Sequence, residues 1–239
     1  MISNLLYALL AGGMDVLGGV LVITPARRSR RLLAFLVAFG AGFMLCVALL
    51  EMVPDALAVR GGITAVLIGY LLVHLTQHTL TPHFHFGEET HGEEMVSPGV
   101  GGYALLGLAP HAFFDGVAIS SAFLTSPRLG MLVFTAVALH KVPEGVSLVS
   151  IMLASGNTAR AAVFSVASIA LATVIGALVT PAFDLLARYG LGLSAGVTIY
   201  VAASNLIPES QRERGWFVPG GVFLGVLAFY LIRLFLPGA

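Results

Sequence analysis

Two ten-residue stretches, HAFFDGVAIS at 111–120 and HKVPEGVSLV at 140–149, decide how the rest of the chain is read. Both sit in long apolar runs, and both follow one pattern: His, three residues, a carboxylate, Gly, Val. Residues four apart share a face of an α-helix, so each stretch points an imidazole and a carboxylate at one place. Two such helices side by side gather His111, Asp115, His140 and Glu144. Imidazole and carboxylate together suit a divalent transition metal.

The surroundings of these stretches are those of a bilayer protein. The chain has 239 residues, of which 58% are hydrophobic and 10% charged, with a mean hydropathy of +0.96. A soluble domain carries about 25% charged residues, so lipid is the solvent that suits this composition. The formal charge of zero leaves no basic footprint for nucleic acid. One cysteine, Cys46, excludes an internal disulfide. The opening MISNLLYALL has no basic n-region, so it reads as a first spanning helix and not a cleaved signal.

Spanning helices need roughly 20 mostly apolar residues. Eight stretches qualify, near 3–24, 32–54, 62–81, 99–124, 129–153, 160–182, 190–208 and 216–236. Connections are short except His83 to Pro98, so residues 1–239 read as one polytopic domain with a His/Glu-rich loop at about 82–98. Basic residues orient it. With the N-terminus outside, seven arginines (27, 28, 30, 31, 160, 212, 214) fall in cytoplasmic loops and four (60, 128, 188, 233) outside. That bias favours N-out and C-out. AGFMLCVALLEMVPDA (41–56) also aligns without gaps on AGVTIYVAASNLIPES (195–210). The second span thus resembles the seventh, as the fourth resembles the fifth, and the members of each pair run in opposite directions. The expected fold is an all-α membrane protein, eight transmembrane helices in an inverted-repeat bundle.

A charge at mid-bilayer costs about 2.5–3.5 kcal/mol on insertion scales, so ionisable residues in spans are functional candidates. Here they include Glu51, His111, Asp115, His140, Lys141 and Glu144. A dry structural network explains one acid–lysine pair but not two aligned His-x-x-x-acid motifs. Pro143 lies within the second motif and Pro110 directly precedes the first, so the carbonyls of Leu139 and Leu106 lose their helical donors. Freed carbonyls beside a cation site recur in transporters. An intramembrane metallohydrolase is the competing reading, since the same ligands activate water. Against it, no His-Glu-x-x-His pairing and no separate nucleophile can be picked out.

These segments resemble the ZIP (Zrt/Irt-like) family of divalent-metal transporters, bacterial type, whose fourth and fifth spans read H-N-x-P-E-G and H-x-x-P-E-G. The eight spans, the histidine-bearing loop after the third and the ELIPEA-like ends of the second and seventh are similar too. The resemblance implies a transporter, not an enzyme, with no cofactor. Its cargo would be Zn²⁺, or Fe²⁺, Mn²⁺, Ni²⁺ or Cd²⁺, moved into the cytoplasm across the cell (inner) membrane, with a homodimer as a candidate assembly. It maps the primary metal site onto Met44, His111, Asp115, His140 and Glu144; alone, Met44 would read as core packing. The family's second, adjacent site is lost here, its ligand positions falling on Ala112, Lys141 and Thr173. Lys141, the sole lysine, would offset Asp115 and Glu144 and leave one transport metal.

Two auxiliary features complete the expectation. Glu51, two turns beyond Met44, is either an entry-side ligand or, more readily, the partner of Lys141. Asp15 is left as a helix-interface polar group with no role. The tract at 78–95 holds His78, His83, His85 and His91 among four glutamates. It reads equally as a labile metal-binding segment and as a solvated polar linker.

Overall fold

The computed structural model describes residues 2–23, 30–80, 98–210 and 215–235. Every regular element among them is helical: α1 (Ile2–Ile23), α2 (Arg30–Val47), α3 (Gly62–Leu80), α4 (Pro98–Thr125), α5 (Pro127–Ala154), α6 (Ala159–Val179), α7 (Asp184–Tyr200) and α8 (Phe217–Phe235). Seven of these rods, with the short segments that extend some of them, are long and apolar enough to cross a membrane. The eighth, α3, is apolar over the shorter stretch Gly62–Gln77. Large apolar side chains such as Leu67, Phe164, Leu171 and Phe223 point outward, which water would not tolerate on this scale and lipid does. This is a multi-spanning, all-α membrane protein.

Local chemistry explains the ends. Ser126 is extended and accepts a hydrogen bond from the Leu129 N–H at 3.2 Å, with Pro127 in the first turn of α5. Thr158 caps α6 in the same way through the Ala161 N–H. At the far end of α5, the Gly156 N–H donates to the Leu153 carbonyl and the Asn157 N–H to that of Met152. Gly156 has a φ of 83°, the left-handed geometry that closes a Schellman motif.

The expected second and seventh spans differ in detail from the structure. The seventh rod starts at Asp184, six residues before the expected 190. Each of the two is also interrupted by a π-helical turn, Ala48–Met52 after α2 and Val201–Leu206 after α7, followed by the short α-helical ends Val53–Leu57 and Ile207–Ser210. In the first, the Val53 N–H reaches the Ala48 carbonyl; in the second, the Ile207 N–H reaches that of Ala202. Pro54 and Pro208 follow those two donors directly. A proline ring strikes the carbonyl four residues back, and the wider i→i+5 turn makes room for it. Pro110 and Pro143, by contrast, lie inside helices assigned α throughout.

The rods sort into two sets. α1 packs on α5 and α6, and α4 packs on the same two; α2 pairs with α8, and α3 with α7. Contacts of α2 with α5 and of α7 with α4 join the sets. Four of the pairs are closed by reciprocal glycines: Gly18 and Gly145 (α1/α5), Gly116 and Gly176 (α4/α6), Gly42 and Gly225 (α2/α8), Gly69 and Gly196 (α3/α7). At each, an added Cβ would collide with a backbone carbonyl of the opposite helix. In lipid there is no hydrophobic drive between helices, so close backbone approach through small residues supplies the packing.

Candidate metal centre

The motif glycines place the site. Gly116, next to Asp115, lets the Thr173 carbonyl of α6 approach α4, and Gly145, next to Glu144, lets the Asp15 carbonyl of α1 approach α5. With α4 and α5 packed on each other, the two His-x-x-x-acid faces meet in the interior. His111, Asp115, His140 and Glu144 are all buried, and one ligand atom from each lies within 4.8 Å of the others.

Each imidazole faces both acids. His140 Nε2 is 3.3 Å from Asp115 Oδ2 and 3.7 Å from Glu144 Oε2. His111 Nε2 is 3.4 Å from Asp115 Oδ2 and 3.7 Å from Glu144 Oε2. Metal–ligand bonds of about 2.0–2.1 Å in a tetrahedron put ligand atoms about 3.3 Å apart, so these four spacings approach the edges of such a shell. The His140 Nδ1 sits 3.0 Å from the Ala136 carbonyl. A carbonyl only accepts, so Nδ1 carries the proton and, in a neutral ring, Nε2 keeps its lone pair for a cation. His111 Nδ1 and Glu144 Oε1 have no hydrogen-bond partner among the described residues.

Lys141 lies beside this cluster and is fully buried. Its Nζ is 2.9 Å from Asp115 Oδ2, 3.0 Å from Glu144 Oε2 and 3.2 Å from Asp15 Oδ2. Asp15 is equally buried. By sequence it is a helix-interface polar group with no role; in the structure it is a partner of the Lys141 ammonium. The signal was present, since a carboxylate in the middle of an apolar span is costly unless paired. The reading of Glu51 as the partner of Lys141 is corrected. Glu51 Oε1 instead meets Arg233 Nε at 2.8 Å, joining the π turn after α2 to the end of α8. Three nearer carboxylates already hold Lys141, and Arg233 supplies Glu51 from the helix packed on α2.

The remaining expected residues fall as follows. Met44 is fully buried on α2, in the same apolar core as Ala136 and Val137 of α5. It lies one turn beyond Gly40, whose Cβ position is 3.8 Å from the His140 backbone nitrogen. Ala112 and Thr173 are buried as well, and the Thr173 hydroxyl donates to the Ile169 carbonyl in its own helix. His83, His85 and His91 lie outside the described residues, as does the side chain of His78.

Comparison with known proteins agrees with this geometry. The model of the ZIP zinc transporter family matches residues 88–234, more than half of the chain. The zinc transporter ZupT of Escherichia fergusonii is 29% identical over 226 residues, covering 87% of this chain and 86% of that protein. ZupT of Salmonella heidelberg is 29% identical over 230 residues, with 89% and 88% covered. The zinc transporter YKE4 of Saccharomyces cerevisiae is 25% identical over 228 residues, covering 80% of this chain and 65% of that protein. The chain therefore belongs to the ZIP zinc transporter family, a membrane transporter and not an enzyme, which moves a divalent metal ion through a buried site between its helices.

Proposed function

We propose that this protein moves Zn²⁺ into the cytoplasm across the cell's inner membrane, one ion at a time, held by His111, Asp115, His140 and Glu144 with the Met44 thioether as a fifth donor. The observation that carries the reading is the buried cluster, the one of its kind among the described residues, whose four ligand atoms fall within 4.8 Å. Two imidazoles and two carboxylates suit Zn²⁺, and a thioether tolerates softer relatives such as Cd²⁺. The cluster has the Lys141 ammonium where a second dication would need open carboxylate oxygens, which favours one ion over two.

Alternating access about an in-plane pseudo-two-fold axis accounts for the paired features. The two π turns fall at positions that correspond in the aligned segments 41–56 and 195–210. The α1/α5 pair has its counterpart in α6/α4, and α2/α8 in α7/α3. We take the N- and C-termini to lie outside, which makes the loop at 82–98 cytoplasmic, where its histidines would receive the exiting ion. Deleting 82–97 should then slow release yet leave some uptake. A homodimer is a candidate assembly, checked by the mass of the particle in nanodiscs.

Uptake into vesicles reconstituted with purified protein tests the reading. Zn²⁺ should enter, and among Fe²⁺, Mn²⁺, Ni²⁺ and Cd²⁺ as competitors, Cd²⁺ should compete best. Metal analysis should return one intramembrane ion per chain. Two intramembrane ions at equal occupancy, or uptake indifferent to Zn²⁺, would overturn it. Imidazoles and carboxylates must be unprotonated to bind metal, so affinity falls as pH drops.

A further inference from the structure

We propose that Asp15, on a helix that contributes none of the four ligands, sets the charge of the metal site so that one dication neutralises it. The inference rests on the metal-site reading above and extends it to a residue outside the ligand set.

Asp15, Asp115 and Glu144 surround one ammonium, with Lys141 Nζ 3.2, 2.9 and 3.0 Å from their oxygens. All four side chains are at most 5% exposed. Three carboxylates, one ammonium and two neutral imidazoles carry two net negative charges. A bound M²⁺ brings this buried set to zero, the state that low-dielectric surroundings favour. Without Asp15 the set carries a single negative charge, and a bound dication leaves one uncompensated positive charge inside the bundle. Both imidazole Nε2 atoms face the same two oxygens, Asp115 Oδ2 and Glu144 Oε2, that Lys141 uses, so an ion held among these groups would share them with the ammonium. Asp15 is the one carboxylate of the three that the ion does not recruit, so it retains Lys141 when the ion arrives.

The packing dedicates Asp15 to this task. Its backbone carbonyl rests on Gly145, and Gly18 one turn later receives the Val142 carbonyl. These contacts fix the register of α1 against α5 in the turn that directly follows Lys141. Asp15 is thus a positioning and charge-setting residue that acts through Lys141.

The test is Zn²⁺ titration by calorimetry on full-length protein in nanodiscs, comparing wild type, Asp15→Asn, the double variant Asp15→Asn/Lys141→Gln, and His140→Ala. Asp15→Asn should weaken Zn²⁺ binding roughly tenfold or more, the scale of one charge interaction in a protein interior. The double variant removes one charge of each sign, returns the set to two negative charges, and should recover affinity to within about threefold of wild type on the same scale. A purely structural role for the Asp15–Lys141 pair predicts a double variant no better than Asp15→Asn. Wild-type affinity in Asp15→Asn, or no recovery in the double variant, overturns the proposal while loss of binding in His140→Ala still upholds the site. Binding unaffected in His140→Ala overturns the site itself. Should Asp15→Asn not fold, the double variant decides: folded with near-wild-type affinity it upholds the proposal, and unfolded or weak-binding it overturns it.

Discussion

The helix pairs α1/α5 and α4/α6, on either side of the metal cluster, are built alike but charged differently. In each, the glycine that follows a motif acid receives a carbonyl from the neighbouring helix, Gly145 from Asp15 and Gly116 from Thr173. In each, a glycine three residues beyond that carbonyl, Gly18 or Gly176, receives one in return. Asp15 and Thr173 therefore hold equivalent places in two similar clasps. One side chain reaches across to Lys141; the other bonds to the Ile169 carbonyl in its own helix. The backbone scaffold is thus indifferent to charge, and the asymmetry of the site comes from a few side chains placed on it.

The largest expected effects fall on the shared scaffold. Gly145→Val and Gly116→Val each drive a side chain into a carbonyl, and overpacking of this kind costs about 1–3 kcal/mol or more. Both variants should lose monodisperse protein on size exclusion to a similar degree; tolerance at one site alone would break the likeness of the two clasps. A smaller effect separates the charges. Thr173→Val removes a hydroxyl bonded only within its own helix, so Zn²⁺ affinity should stay within about twofold of wild type, whereas Asp15→Asn should not. Equal losses from the two would show that burial of any polar group matters there, and not the carboxylate. Smallest of all is the peripheral pair. Arg233 is 40% exposed where it meets Glu51, and such pairs contribute about 0–1 kcal/mol. Glu51→Gln should therefore leave Zn²⁺ binding unchanged and melting close to wild type; a large loss of binding would restore Glu51 as a ligand.

How much of this was legible in the sequence depended on how local the signal was. His111 with Asp115 and His140 with Glu144 are one helical turn apart, so spacing alone placed them on common faces, and their apolar setting marked them as functional. The membrane class and the number of rods followed from composition and length. The partner of Lys141 was not legible in the same way, because Asp15 lies 126 positions away and meets it only through the register set by Gly18 and Gly145. The pairing of Glu51 with Arg233 likewise depends on α2 packing against α8. The π turns left a fainter trace. Pro54 and Pro208 were visible at aligned positions, but proline also stands in α4 and α5 without a π turn, so proline alone does not decide the outcome.

The most direct test of the central claim, that paired imidazoles and acids inside the bundle grip the transported ion, is Zn²⁺ uptake by vesicles containing His140→Ala or Glu144→Ala protein. Folding is checked by size exclusion and the amount inserted by quantitative blotting. Both variants should insert normally and lose Zn²⁺ uptake to the level of empty vesicles, while wild type accumulates it. Uptake at the wild-type rate by both would contradict the account.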